Sequence, residues 1–504
     1  VRDRDIWPDG HEPSLKDPEI LVANAQKYRM DWPFNAPTQD ENEFVLTYWN
    51  QVLKKCPNRN RSIFTDDQIL NGTDSVAPLM RDSSAGFWGI ISKGKATFID
   101  VNYADDGTRY QTWADGYYNA IHPYYKKSLH DVIRDTEEEC ANLLRGSKPQ
   151  IWVTTLKDEL LKEKKIKTKK TRIFESASID QTILIKKYFG AFGEFYRSHP
   201  GIVLGHAIGL DRVESWGAIY QMLTRRPPGK TKIKDGIDLD YASFDSTIPP
   251  SFYVFFRNLV EAYYGDADPR ANRIRATLIH GLQHSYQLIK GKITLSHLGN
   301  KSGMWLTDVL NSIANQWALM VCFHRLYFNH YGMDPHIVDW TNNVSLFTYG
   351  DDVVMSVTDS GLKYYNAKNI GGVLTDLGFR ATAGDKTPLA EEARPVEDLT
   401  FLKSAFQLEP RYGIVSCPMP LSTSYRELNW VRKAHKDNYT VLTGMWNDAL
   451  RFAAWHDETE YNHVYDHLSA KLSDLGLYDL TVDLVSYKEV KVDMFYKQQS
   501  LKLD

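Results

Sequence analysis

The sequence predicts an α+β fold, with short strands joined by tight turns and set among long amphipathic helices. Three observations carry this. Residues 344–357 place two β-prone runs on either side of Gly350-Asp351-Asp352, a tight-turn tripeptide, and so predict a hairpin. Residues 304–324 put Val309, Leu310, Ile313, Ala314, Trp317 and Met320 at helical spacing, behind a Ser302-Gly303 entry. Residues 425–470 are mainly helical in pattern and predict a separate C-terminal helical lobe.

The remaining elements follow in order. Residues 1–80 are polar and rich in Asp, Asn and Pro, which predicts loops and short helices. Residues 83–87, Ser-Ser-Ala-Gly-Phe, form a small-residue turn, and residues 116–145 have helical spacing. Residues 157–172 hold eight basic and three acidic residues, net +5, and a second basic stretch runs over 225–234. Such runs are usually solvated surface. Two of them flanking an acidic centre also suit phosphate binding. Residues 236–248 read as a strand entering a turn, and 251–264 as an apolar helix. No repeat or low-complexity tract breaks this order.

Composition bounds the class. The 504 residues suggest about three domain-sized units. With 42% apolar residues, 29 Tyr and 13 Trp, the chain is globular rather than disordered. A net charge of -4 announces no nucleic-acid partner, yet a local basic channel can sit inside an acidic whole. Cys56, Cys140, Cys322 and Cys417 are dispersed, which argues against a zinc ribbon and a disulfide framework. No apolar run approaches the roughly 20 residues of a membrane span. The N-terminus, Val1-Arg2-Asp3, lacks an initiator Met, so either excision from a precursor or trimming accounts for it.

Two acidic pairs point to chemistry. Asp351 and Asp352 share the hairpin tip, where an Asp ordinarily satisfies its own backbone. Adjacent carboxylates repel, and a bound cation relieves that cost. Mg²⁺ takes few carboxylates together with water and phosphates. Asp240 ends a predicted strand and Asp245 follows past a turn. If Asp240 and Asp351 met across adjacent strands, they could bridge two metals about 4 Å apart.

Taken together, these motifs resemble those of RNA-dependent RNA polymerases of picornavirus-like positive-strand RNA viruses. Asp240-x4-Asp245, Ser302-Gly303-x3-Thr307-x3-Asn311-Ser312 and Tyr349-Gly350-Asp351-Asp352 resemble the first three palm motifs, in order. Lys157-Asp-Glu-Leu, Lys165 and Arg172-Ile-Phe-Glu175 resemble the basic fingers motif, and Ser83-Ser84-Ala-Gly86-Phe87 the template-entry loop. Leu377-Gly378 through Asp385-Lys386, Phe401-Leu402-Lys403 and Asn429-Trp430-Val431-Arg432-Lys433 resemble the fourth palm motif, the primer grip and a thumb segment. Departures occur: Asn300-Lys301 precedes Ser302 where a small residue or proline is common, Ser404 follows Lys403, and Val1 stands where those polymerases begin with Gly.

The resemblance implies a closed right hand of fingers, a palm with a small antiparallel sheet, and a helical thumb. Fingers would span 1–205 and 260–296, palm 206–259 and 297–407, and thumb 408–504. It further implies two-metal nucleotidyl transfer from NTPs to an RNA 3′-hydroxyl. Asp240, Asp351 and Asp352 would serve two Mg²⁺ ions, with Mn²⁺ as substitute, and Lys386 would be the general acid. Lys157, Lys165, Arg172, Asp245, Ser302, Thr307 and Asn311 would bind the nucleotide; Thr307 could instead only start its helix. Ser83, Ser84, Gly86, Gly303 and Lys403 would contact RNA. Partners would be template and product RNA and other viral replication proteins, with either a protein primer or de novo initiation, at membrane-associated replication complexes in the host cytoplasm. A reverse transcriptase is disfavoured by Gly350 and Asp245, and a decayed RNA-binding scaffold by the presence of Asp240, Asp351, Asp352, Arg172 and Lys386 together. His456, His463 and His467 suit surface or core better than zinc. Trp446, Phe452, Trp455, Tyr461 and Tyr465 are expected in the core of the helical lobe.

Overall fold

The computed structural model describes residues 11–13, 18–25, 35–80, 83, 86, 99–114, 126–142, 150–224, 233–265, 268–389, 391–425, 428, 438–474, 476 and 484–500. The basic residues 225–232, Ser84, and the thumb motif at 429–433 lie outside them.

The hairpin forms where the turn chemistry puts it. Val344–Tyr349 and Asp352–Val357 pair antiparallel around Gly350-Asp351, with Tyr349 opposite Asp352. Gly350 has φ +63°, a left-handed conformation that glycine adopts without steric cost. Asp352–Val357 pairs in turn with Asp235–Tyr241, with Val353 opposite Leu239. Ala381–Ala383 and Arg394–Pro395 add to the far edge of Asp235–Tyr241. All four pairings are antiparallel, so one small sheet brings together segments far apart in sequence.

Both central strands are buried almost throughout, and so read as apolar runs rather than alternations. Helix Thr307–Tyr331 packs against the hairpin and against helix Ala367–Asp376. It is longer than its buried apolar run: after His324 the helix continues partly exposed and then exposed, until Gly332 ends it at φ +70°.

A second sheet has the order Ile173–Ser176, Ile151–Leu156, Ser285–Ile289, Lys292–Ser296. Ile151–Leu156 runs parallel to Ser285–Ile289, so residues 151–176 and 285–296 share one sheet. An isolated bridge between Ser176 and Gly303 ties its edge to the entry of the long helix.

Over residues 1–80 the expectation of loops and short helices fails at Gln39–Lys55, a 17-residue helix. Thr38 and Glu41 form a capping box, and Phe44, Val45, Tyr48, Trp49, Val52 and Leu53 bury one face. Polar residues on the other face mask that stripe in the sequence. The C-terminal lobe is helical as expected, with Asn438–His456, Glu458–Asp474 and Tyr487–Ser500. Trp446, Trp455 and Tyr461 are buried in a core that these helices share with Trp216 and Leu223 of helix Arg212–Thr224 and with Phe347 and Val354 of the hairpin, so the expected separate lobe is packed onto the sheet; Phe452 and Tyr465 pack against the same core. All four cysteines are free thiols.

Candidate active site

The central sheet brings the acidic pairs to one end. Because Val353 faces Leu239, Asp240 and Asp352 leave their strands side by side, with Asp351 on the adjoining turn. Asp245 follows on the short helix Phe244–Thr247, entered through Ser243 at φ +60°.

The long helix holds the turn from behind. Ser312 Oγ accepts the N–H of Gly350 at 2.8 Å. Asn315 Nδ2 donates to the carbonyls of Gly350 and Asp351 at 3.1 and 3.3 Å. Asn315 Oδ1 accepts from Tyr241, the neighbour of Asp240, at 3.0 Å. One buried amide thus joins both acidic strands. Asn311, one turn earlier, donates to the Asp245 carboxylate and accepts from Asn300 at 2.9 Å.

Three cations act on this cluster. Lys386 Nζ lies 2.9 Å from Asp240 Oδ2. Arg172 is paired through Nε and Nη2 with Glu159, Nε at 2.8 Å, and its charge reaches Asp351 and Asp245. Lys403 reaches Asp352 from a two-residue turn in which Leu402 and Lys403 both have positive φ, 50° and 64°. Non-glycine residues in that region carry local strain.

Burial dominates the acid–base behaviour. It pushes Asp352 up to about 6, with Asp351 and Asp240 adding repulsion and Lys403 and Lys386 opposing it. Burial also raises Asp351, helped by Asp240 and resisted by Arg172 and Lys386. Asp245 rises to about 6 through burial, against its hydrogen bond from Asn311. Carboxylates that resist ionisation in one another's company suit a cation. Among the described residues no three His, Cys, Asp or Glu side chains gather into a closed cage.

The other candidates surround the cluster at different depths. Ser302 Oγ accepts the N–H of Glu175 at 3.4 Å. A Cβ on Gly303 would fall 1.9 Å from the carbonyl oxygen of Glu175, so only glycine fits there. Thr307 Oγ1 donates to the carbonyls of Lys301 and Met304, at 3.0 and 2.7 Å, and starts the long helix. Ser83 bends back onto Met80, and Gly86, at φ +68°, lies against the backbone of Ala177 and Ser178. Lys157 is exposed and donates its backbone N–H to Arg172. Lys165 is exposed on the short helix Glu163–Lys167, on a face that makes no described contact with the carboxylates. His456 is held by the carbonyl of Met419 at 2.7 Å, as a structural histidine would be.

A model of the viral RNA-dependent RNA polymerase family matches residues 11–472. The chain belongs to that family. Within it, the chain is 26% identical over 483 residues to the genome polyprotein of Rice tungro spherical virus, covering 94% of this chain and 13% of that one. It is 26% identical over 457 residues to the genome polyprotein of Poliovirus type 3, covering 89% of this chain and 18% of that one. The chain therefore spans less than a fifth of these relatives. Among solved structures, the Sicinivirus 3Dpol RNA-dependent RNA polymerase superposes with a TM-score of 0.73 at 18% identity, over 99% of this chain and 96% of that one. The fold is thus the right-hand fold of the viral RNA-dependent RNA polymerases.

Four residues around these carboxylates escape sequence reasoning. Asn315 reads as one polar residue on an apolar helix; its i, i+4 spacing from Asn311 is the signal that could have found it. Glu159 reads as part of a charge run. Asp238 sits mid-strand, 2% exposed, and binds Arg394 and Thr400 as well as the N–H of Gly384, two residues before Lys386. Lys301, which the sequence marks only as a departure before Ser302, is buried.

Proposed function

We propose that this chain is an RNA-directed RNA polymerase that replicates a viral RNA genome, joining the α-phosphate of an NTP to an RNA 3′-hydroxyl and releasing pyrophosphate. The observation that carries the reading is the convergence of Asp240, Asp351 and Asp352 at one end of a single sheet, with Lys386 bonded to Asp240.

The residues present fit the divalent ions such chemistry uses. Asp240 and Asp351 would hold two Mg²⁺ ions, or Mn²⁺ in their place, with Asp352 beside them. When bound, these ions would lower the pKa of the attacking hydroxyl and neutralise the leaving phosphates. The chain's own residues do the positioning that dominates phosphoryl transfer. Arg172 keeps Nη1 outside its pair with Glu159, available to a phosphate oxygen. Asp245 and Asn311 face the ribose, whose 2′-OH separates RNA from DNA. Lys386 delivers a proton to the departing pyrophosphate. Ser83, Ser84, Gly86, Gly303 and Lys403 contact template and product RNA. Lys157 and Lys165 line the nucleotide entry.

The same reading assigns fingers to 1–205 and 260–296, palm to 206–259 and 297–407, and thumb to 408–504. The sheet that unites residues 151–176 with 285–296 supports that division. It also carries other viral replication proteins as partners, initiation from a protein primer or de novo, and action at membrane-associated complexes in the host cytoplasm. No described helix is long and apolar enough to cross a membrane.

Primer extension on an annealed RNA duplex, with four rNTPs and Mg²⁺, tests the proposal beside Asp351→Ala. Extension that vanishes in the variant is expected. Extension unchanged by the variant would sink the site. RNA binding without synthesis by the wild type would favour a scaffold, and equal use of dNTPs a reverse transcriptase.

A further inference from the structure

Asp238 stands in the middle of strand Asp235–Tyr241, two residues before Asp240, and is buried. A carboxylate taken out of water is costly unless donors and a counter-charge surround it. Here they do. Oδ1 accepts the N–H of Gly384 at 3.3 Å and pairs with Nη2 of Arg394. Oδ2 accepts the N–H of Thr400 at 2.8 Å and its hydroxyl at 3.1 Å. The strand neighbours Ile237 and Leu239 are buried and apolar, so burial alone asks for no carboxylate at this position.

The partners of Asp238 belong to the two loops that carry lysines towards the site. Gly384 lies inside the turn that the N–H of Lys386 closes on the Ala383 carbonyl at 2.7 Å, and Lys386 Nζ is 2.9 Å from Asp240. Arg394 Nη1 is 3.7 Å from Oδ2 of Asp385. Both residues before Lys386 are therefore tied to Asp238, Gly384 directly and Asp385 through Arg394. A Cβ on Gly384 would collide with Oδ2 of Asp238 and lie 2.7 Å from Thr400 Oγ1, so the loop sits directly on this pair. Thr400 in turn begins the small hairpin of Thr400–Phe401 and Ser404–Ala405, whose turn is Leu402–Lys403. One buried carboxylate thus joins the strand of Asp240, the Lys386 loop and the Lys403 turn.

We propose that Asp238 is a positioning residue for the reaction: through Gly384 and Arg394 it sets Lys386 against Asp240, and through Thr400 it holds the Lys403 turn to the same strand. The proposal rests on the polymerase reading, with Lys386 as proton donor and Lys403 on the RNA. It adds that one buried group places both lysines, so a change at Asp238 is felt at each.

The full chain, as wild type, Asp238→Asn, Lys386→Met and the double variant, is assayed by rapid-quench primer extension and by titration with primer–template RNA, beside a melting curve. Asn keeps the shape but turns an NH₂ group towards donors it cannot accept from. Asp238→Asn should lower turnover about 10²-fold, as a misplaced catalytic group does, with little change in KM for NTPs. The double variant should fall no further than Lys386→Met alone, because the proton donor that Asp238 places is already absent. Asp238→Asn should also raise the Kd for the RNA duplex severalfold, whereas Lys386→Met should not. Losses that multiply in the double variant overturn the proposal and leave Asp238 a packing residue. An unchanged duplex Kd in Asp238→Asn overturns its hold on the Lys403 turn. If Asp238→Asn does not fold, Gly384→Ala, which lifts the loop off Asp238, decides by the same comparisons. Full turnover in Lys386→Met overturns the proton-donor reading and this proposal with it, and a wild type that extends no primer overturns the polymerase reading itself.

Discussion

The ammonium of Lys386 lies 2.9 Å from Oδ2 of Asp240, across 146 residues of sequence. The contact is built by the loop rather than by the flexible side chain alone. Lys386 itself has φ +69°, its N–H donates to Ala383 at 2.7 Å, and Gly384 is held by Asp238 at 3.3 Å. Lys386 thus neutralises the carboxylate that a metal ion would otherwise engage.

Lys386→Met should therefore separate two effects. Turnover should fall about 10²–10⁴-fold through loss of the proposed general acid. The Mg²⁺ concentration giving half-maximal rate falls too, because Asp240 is freed of a competing cation. Rapid-quench extension across a Mg²⁺ series measures both. An unaltered turnover number would remove Lys386 from the chemistry.

Asp245 supplies a pH test. Its folded pKa, about 6, lies above the unfolded value near 3.8, so the folded state holds the proton more tightly. Stability contributed by this group falls as pH rises between those values, and the deficit is complete above about 6. Asp245→Asn should raise the melting temperature of metal-free protein at pH 7.5 by on the order of 1–3 °C. The gain should disappear below about pH 4. A gain independent of pH would point to a cause other than the buried charge.

Asn315→Ala removes the amide shared by Gly350, Asp351 and Tyr241. Leaving those groups buried without it should cost about 1–3 kcal/mol of stability. Because the carbonyls it holds set the Asp351 turn, the Mg²⁺ requirement should also rise. Tyr241→Phe should reproduce part of the loss. Melting curves and a Mg²⁺ titration of extension read the two consequences separately.

Arg172→Lys keeps the charge and loses the fork. We expect KM for NTPs to rise about tenfold, since a single lysine ammonium cannot hold Glu159 and also present a fixed donor to a phosphate oxygen. Glu159→Gln should act oppositely and lower KM, by releasing Nε and Nη2 of Arg172 for phosphate. Steady-state kinetics on one template decides, and equal KM values in both variants would detach Arg172 from the triphosphate.

The sequence by itself determined the local elements. The Gly350 turn, the strand into Asp240 and the apolar face from Val309 to Met320 are written in turn chemistry and side-chain period, which act over a few residues. Those signals also located Asp240, Asp245, Asp351 and Asp352, and the ordered motifs supplied the family. Helix Gln39–Lys55 was harder, because its polar face outweighs its apolar stripe in a composition reading. Only the tertiary structure decided which distant groups meet. The register of Val353 on Leu239 sets Asp240 beside Asp352, Asp238 anchors the Lys386 loop, and Lys301 lies in the interior. No local pattern encodes these, since burial and pairing depend on which surfaces close over a residue, and those surfaces come from segments more than a hundred residues away.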